Sequence, residues 1–197
     1  MKTMTFKTIS AICLPLMILS CSDEYSWHEN FEARHAANLE KLEISIQRKK
    51  PSPEVAQAHI LLGRKETGIA MLEDLIAKGN DSAYLVLAKM RDDGRLIEKD
   101  AEFAEQAFSI LCESYIEPCT LLAQTFLTRG EFEKAESAYL SAAEFDYILA
   151  VTGLYRLYAK KGWSGHNMEK SKYWAGKIGS SKDYNVYSFD GLTKRKP

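Results

Sequence analysis

Apolar residues recur at the three- and four-residue spacing of an α-helix from about residue 54 onward. Three stretches share one order of features, in which a small residue opens a predicted helix and a glycine closes it 11 or 12 positions later. The opening residues are Ala83, Cys119 and Ala150, and the closing residues are Gly94, Gly130 and Gly162. Glycine is common after a helix because it adopts the left-handed conformation easily. The opening residues are 36 and then 31 positions apart, which indicates an internal repeat.

A second predicted helix follows each of these glycines. Small and aromatic residues occupy its inward positions, such as Phe103 and Ala107 in the first stretch and Ala135 and Tyr139 in the second. Small residues let two helices approach closely, so each stretch is predicted to form an antiparallel helix pair. One pair cannot bury both of its faces, and the pairs are therefore expected to stack. The pattern predicts an all-α protein.

The second stretch resembles the Sel-one-like repeat, which is related to the tetratricopeptide repeat. Residues Leu122, Ala123 and Gly130 match the first helix of that repeat, and Lys134, Ala135, Tyr139, Ala142 and Ala143 match the second. The resemblance covers about residues 54–178, and the last copy departs from it at Ser171, where the family usually has alanine. It implies a short right-handed solenoid of stacked antiparallel helix pairs. It also implies a role in binding other proteins, because members of this family are mostly adaptors.

The first 20 residues have the pattern of a secretory signal peptide, with two lysines ahead of an apolar run over residues 9–19. The run ends in Ile-Leu-Ser-Cys, which resembles the lipobox of bacterial lipoproteins. Residues 1–20 are therefore predicted to be a signal peptide, and Cys21 is predicted to carry acyl chains. Two alternatives stay open: cleavage after Ser22, and an uncleaved protein with Cys21 in its core.

A lipidated Cys21 predicts a protein of the cell envelope that is anchored by lipid and faces the periplasm. Several acyl chains anchor firmly, since each buried methylene contributes about 0.8 kcal/mol. Ser22 differs from the aspartate that resembles an inner-membrane retention signal, so the outer membrane is favoured over the inner membrane.

Cys112 and Cys119 are the two cysteines that remain outside the signal peptide and the lipidation site. Disulfides persist in an oxidising compartment. Some secreted relatives carry a disulfide-forming pair at about this place, and the resemblance therefore implies a Cys112–Cys119 disulfide. The alternative is a pair of buried thiols that pack as Ala143 and Ala150 do at the same separation in the next copy.

Two segments flank the predicted repeats. Ser26 and Glu29 match a capping box, which predicts a helix that runs to about Gln47. Residues 21–53 are thus predicted to be the lipid tether and an N-terminal capping helix, since the end of a repeat stack needs an atypical face. Residues 179–197 are predicted to be a polar, basic tail.

Composition and motifs exclude several functions. The chain carries 26 basic and 27 acidic residues, a net charge of −1, which argues against nucleic-acid binding. No apolar run approaches the roughly 20 residues that a membrane-spanning helix needs. The sequence contains none of the common phosphate-binding, dinucleotide-binding, hydrolase or zinc-protease motifs. We therefore predict a protein that is not an enzyme and needs no cofactor.

Three residues near the predicted tether are weak candidates for binding a metal ion. His28, Glu32 and His35 share one helix face by their spacing, and imidazole with carboxylate is acceptable zinc chemistry. No fourth ligand is visible in the sequence. The alternative is an ordinary exposed polar face.

The last copy holds the candidate residues for binding a partner. Trp163 lies in a Gly-Trp-Ser-Gly turn close to His166, and tryptophans often anchor protein interfaces. The alternative is a tryptophan folded under its own loop. Tyr155 and Tyr158 in the same copy are expected to line the concave side of the solenoid.

The favoured function is that of a non-enzymatic periplasmic lipoprotein that binds a protein partner. Small periplasmic members of the family resemble immunity proteins that neutralise antibacterial effectors, including lipases delivered by type VI secretion. An adaptor or scaffold of an envelope secretion or export complex is the alternative. A metal-binding protein or a cell-wall enzyme is a third hypothesis.

Overall fold

The computed structural model describes residues 36–44, 46–47, 49–181 and 192–195. The chain divides into two compact units, residues 1–49 and 50–197. In the first unit, residues 36–44 are helical, within the helix that the capping box predicts. The second unit contains α1 (Pro53–Leu61), α2 (Lys65–Ala77), α3 (Asp81–Asp93), α4 (Ala101–Cys112), α5 (Ile116–Thr128), α6 (Phe132–Ala143), α7 (Ile148–Ala159) and α8 (Met168–Lys177).

Each helix of the second unit packs chiefly against the helices before and after it in sequence. The part of the chain that the structure describes contains no β-strand, and its single β-bridge joins Tyr115 to Lys194. Stacked helix pairs of this kind are typical of helical repeat proteins. The predicted all-α architecture of stacked helices is therefore confirmed.

Local sequence explains where the helices begin and end. The side chains of Asn80 and Asp100 each accept a 2.9 Å hydrogen bond from a backbone N–H in the first turn of α3 and of α4. Such caps satisfy donors that have no partner within the helix. At the other end, Gly94 has φ 72° and Gly130 has φ 76°, the left-handed conformation that the repeat pattern predicts.

The core is built from small residues at the helix crossings and large ones between them. Ala104, Ala107 and Ala123 are fully buried in the larger of two hydrophobic clusters, together with Phe108 and Leu154. At the crossing of α7 with α6, the contact residue on α7 is Gly153. A Cβ added there would lie 2.5 Å from the ring of Tyr139, so the crossing leaves no room for a larger residue. This close crossing fixes the position of α7 on α6.

Ser171 is buried in α8. Its hydroxyl donates a 3.1 Å hydrogen bond to the carbonyl of Tyr155 in α7. A buried hydroxyl needs such a partner, so the polar residue is accommodated without an unsatisfied group. This hydrogen bond joins α8 to α7.

Residues 192–195, which we call the return segment, lie against the middle of the helical stack. They pair with the turn between α4 and α5. The sequence predicts only a polar tail here, and the pairing is an addition to that prediction. No helix in the described part of the chain has the length and apolar character needed to cross a membrane.

Candidate partner-binding site

Trp163 is buried, with 6% of its surface exposed. Its indole Nε1 donates a 2.8 Å hydrogen bond to the carboxylate of Glu133 at the start of α6. The ring lies against Tyr158 and Phe132, with centroid distances of 5.8 and 6.1 Å. A Cβ at Gly165 would lie 2.5 Å from the indole, so the loop closes directly over the ring. This placement matches the alternative of a tryptophan folded under its loop, and it leaves the indole no broad exposed face.

Glu133 is an exposed residue whose charged form is stabilised by the same loop. The hydrogen bond from Trp163 lowers the pKa of the Glu133 carboxyl, and a 3.1 Å hydrogen bond from Ser164 acts in the same direction. Hydrogen bonds to a carboxylate favour its ionised form. The arrangement holds the turn after α7 against α6.

Tyr158 is buried as well, and its role is structural. Its hydroxyl donates a hydrogen bond to Glu136 of α6, and Lys170 lies over its ring at 4.8 Å. Burial, together with the hydrogen bond to Glu136, raises the pKa of the Tyr158 hydroxyl far above its ordinary value. The phenol therefore stays neutral and ties α7 to α6 and α8.

The other two candidate residues are exposed. Tyr155 has 38% of its surface exposed on α7, and His166 is exposed in the loop before α8. The structure thus brings Trp163 and Tyr158 together in the core and leaves Tyr155 and His166 at the surface. The four candidates do not share one exposed surface.

A groove of about 550 Å³ lies between α5, α6 and α7. Its lining comprises Gln124 and Leu127 of α5, Phe132 and Tyr139 of α6, and Leu149, Thr152, Gly153, Arg156, Leu157 and Lys160 on or just after α7. The α7 residues recur at intervals of three and four, so one face of α7 forms a wall of the groove. Most of the lining is apolar, and within the described residues it includes no carboxylate.

Two cations at this groove have no ion-pair partner among residues 49–181 and 192–195. Arg156 and Lys160 are exposed, and neither forms an ion pair with any residue between 49 and 181 or in the return segment. Lys160 Nζ lies 5.2 Å from the ring centroid of Phe132. Burial raises the pKa of the Tyr139 hydroxyl, and the positive charge of Arg156 acts in the opposite direction. The groove therefore combines an apolar lining with two positively charged side chains.

Sequence reasoning missed the groove residues, although part of the signal was present. Leu149, Thr152, Arg156 and Lys160 share one face of a predicted helix by spacing, and this face mixes an apolar side chain with two cations. A face fully packed in a core does not carry two unpaired cations. The opposite walls come from α5 and α6, and no local pattern reveals them.

The predicted cysteine pair is close in space. Cys112 is the last residue of α4 and Cys119 lies in the first turn of α5; their sulfur atoms are 2.03 Å apart and their Cα atoms 4.7 Å apart. This is the separation of a disulfide. The bond joins the end of one helix pair to the start of the next.

The remaining candidate residues lie outside the described residues. These are the lipidation site Cys21 and the weak metal candidates His28, Glu32 and His35. Within the described ranges, no group of three or more His, Cys, Asp or Glu side chains is arranged to hold a metal ion. The groove is thus the strongest candidate site in the part of the chain that the structure describes.

Comparison with known proteins gives no match among family models, curated proteins or solved structures.

Proposed function

We propose that this chain is a non-enzymatic binding protein and that a protein partner docks in the α5–α6–α7 groove. The observation that carries the proposal is the pair of cations Arg156 and Lys160 beside an apolar lining, neither of them in an ion pair with the residues that the structure describes. Such a surface suits a partner segment that presents carboxylates next to an apolar side chain. Arginine and aromatic residues with a desolvated apolar centre are typical of protein interfaces.

Charge supports an acidic partner segment over a basic one. The lining of the groove brings two positive charges and no negative charge among the described residues. A partner carboxylate that reaches Arg156 gains a charge-assisted hydrogen bond, and the planar guanidinium can make two of them. Leu149, exposed to 39%, offers apolar contact at the same wall. The apolar contacts supply affinity, and the charges supply orientation and a faster encounter.

Within this class, we propose an immunity protein that neutralises an antibacterial effector, such as a lipase delivered by type VI secretion. Its support is the resemblance to Sel-one-like repeats and the lipoprotein pattern ahead of Cys21. The proposal also places the protein in the periplasm, anchored by lipid and favouring the outer membrane. A role of this kind requires a surface that binds a protein, and the exposed cations and apolar lining of the groove support its choice as that surface.

The experiment is a pull-down from envelope and secreted fractions with residues 22–197 as bait, read by quantitative mass spectrometry. The Arg156→Glu/Lys160→Glu variant reverses both groove charges. The Lys65→Glu/Lys172→Glu variant makes the same charge change at exposed sites on α2 and α8. We expect the native chain and this control to retain one protein in similar amounts. We expect the groove variant to retain about tenfold less of that protein.

Three results decide the proposal. A retained enzyme whose activity falls when the chain is added supports the immunity role. Retention of several envelope components in its place supports the scaffold alternative and contradicts the immunity role. A set of proteins that is the same for all three baits contradicts binding in the groove.

A further inference from the structure

The return segment forms backbone hydrogen bonds with the turn between α4 and α5. The amide of Ile116 donates a 3.1 Å hydrogen bond to the carbonyl of Thr193, and the amide of Arg195 donates a 2.9 Å hydrogen bond to the carbonyl of Ser114. Tyr115 and Lys194 form the antiparallel bridge between these two bonds. The turn therefore accepts an extended segment in the way that the edge of a sheet accepts a strand.

One of these bonds completes a helix end. Ile116 is the first residue of α5, and its N–H is one of the four that have no partner within the helix. Tyr115, which precedes it, provides no side-chain cap. The carbonyl of Thr193 supplies the missing acceptor. The return segment thus caps the N-terminus of α5 from a distant part of the chain.

The side chain of Arg195 supplies hydrogen-bond donors to carbonyls at two further helix ends. Its guanidinium donates hydrogen bonds of 3.0 Å to the carbonyl of Cys112, at the end of α4, and of 2.7 Å to the carbonyl of Ser141, near the end of α6. The same guanidinium lies 5.4 Å from the ring centroid of Phe145. A cation is favourable at a helix C-terminus, where carbonyls lack partners and the helix dipole is negative. Arg195 therefore joins two consecutive helix pairs.

The disulfide connects two of the three helix ends that the return segment completes. Cys112 ends α4 and carries the carbonyl that Arg195 binds, and Cys119 lies in the first turn of α5. The bond closes the turn that supplies Ser114, Tyr115 and Ile116 to the pairing. A closed loop of this length has few conformations available, so its carbonyl and amide groups hold their positions.

We propose that the turn between Cys112 and Cys119 is a binding site for an extended, arginine-bearing segment, that the return segment is its ligand, and that the site requires the disulfide. Oxidised protein keeps the return segment docked, and reduced protein releases it. A dithiol reductant supplies the two electrons and two protons: the S–S bond breaks, two thiols form, and the reductant becomes a cyclic disulfide. The proposal does not depend on the partner-binding groove, which lies between other helix faces.

Hydrogen exchange on the full chain tests this proposal, with and without dithiothreitol. The amide of Arg195 reports docking, and the amide of Leu154 in α7 reports the fold as a whole. We expect reduction to speed exchange at Arg195 by at least about tenfold while Leu154 keeps its protection. Equal exchange at Arg195 in the oxidised and reduced proteins overturns the proposal.

The Cys112→Ala/Cys119→Ala variant provides the same test without a reductant. Alanines occupy the corresponding positions 143 and 150 of the next copy, where both are buried, so the substitution suits the packing. We expect Arg195 to exchange as fast in this variant as in the reduced protein. Native protection at Arg195 in the variant overturns the proposal. This result decides the question even if dithiothreitol unfolds the native chain.

A second variant tests the arginine while the disulfide stays intact. In Arg195→Ala we expect faster exchange at Ile116, the amide that the return segment caps, with no free thiol on residues 112 and 119. The matched control is Arg129→Ala, which removes an arginine paired with Glu105 and Glu131 at the opposite end of α5 and leaves Ile116 protected. Unchanged exchange at Ile116 in Arg195→Ala contradicts the assigned role of this arginine.

Discussion

The indole of Trp163 donates its N–H to the carboxylate of Glu133 at 2.8 Å, although the two residues are 30 positions apart. Glu133 lies in the first turn of α6, and Trp163 lies in the turn after α7. The contact joins the start of α6 to the turn that follows α7. It therefore links two consecutive helix pairs. Trp163 therefore belongs to the packing of the fold, and the proposed partner-binding surface is the neighbouring groove.

Replacement of Trp163 by alanine is expected to destabilise the protein by about 3 kcal/mol, since it removes a large buried ring and leaves a cavity. Trp163→Phe keeps an aromatic ring but loses the hydrogen bond and part of the indole, so its expected cost is smaller, about 1–2 kcal/mol. Urea denaturation measures both values. Tyr155→Ala, at a half-exposed site on α7, is the control with little expected effect. A Trp163→Ala variant as stable as this control contradicts the structural role.

The same pair predicts a pH dependence of stability. The hydrogen bond from Trp163 lowers the pKa of Glu133 in the folded state. A lowered pKa means that its stabilisation is present above the unfolded-state value, about 4.3, and is lost as the pH falls through the folded-state value. We expect Glu133→Gln to reduce stability at pH 7 and to match the native protein at pH 2. Urea midpoints across this range measure the effect, with the exposed Glu98→Gln as control. Parallel curves for Glu133→Gln and the native protein contradict the prediction.

Much of the fold was predictable because its signals are local. A glycine that ends a helix and an alanine at a crossing act through their immediate neighbours, so Gly94, Gly130 and Ala107 stand in the structure where the pattern predicts them. These features repeat along the chain, and repetition makes them visible in a single sequence. The pairing of Cys112 with Cys119 rests on a different signal, because the resemblance and the predicted oxidising compartment implied it.

The site was less predictable because it depends on contacts between distant residues. The environment of Trp163 is decided by Glu133, and the composition of its own turn fits a buried and an exposed ring equally well. The groove needs faces from three helices at once. The return segment pairs through backbone groups, which every residue has, and so the pairing of Lys194 with Tyr115 leaves no pattern in the sequence.

Two glycines on α7 and α8 offer a matched test of the helix crossing. In Gly153→Ala the new methyl lies 2.5 Å from the ring of Tyr139, and the expected cost is about 1–3 kcal/mol. In Gly176→Ala nothing lies within 4 Å of the new methyl, and alanine is expected to stabilise α8 by about 0.5–1 kcal/mol. Thermal or urea denaturation gives both values. Effects of the same sign contradict the close crossing of α6 and α7.

Leu149 tests the groove with a change that spares the core. Leu149→Asp places a negative charge on the exposed apolar part of the groove, next to where partner carboxylates are proposed to bind. We expect partner affinity, measured by calorimetry with the protein recovered in the pull-down, to fall by about tenfold or more. Ile110→Asp is the matched control, because Ile110 is 56% exposed on α4 and does not line the groove. Raised salt should weaken native binding and affect Arg156→Ala less, since that variant lacks one of the charges that salt screens. Equal affinities for Leu149→Asp and Ile110→Asp would place the partner on another surface.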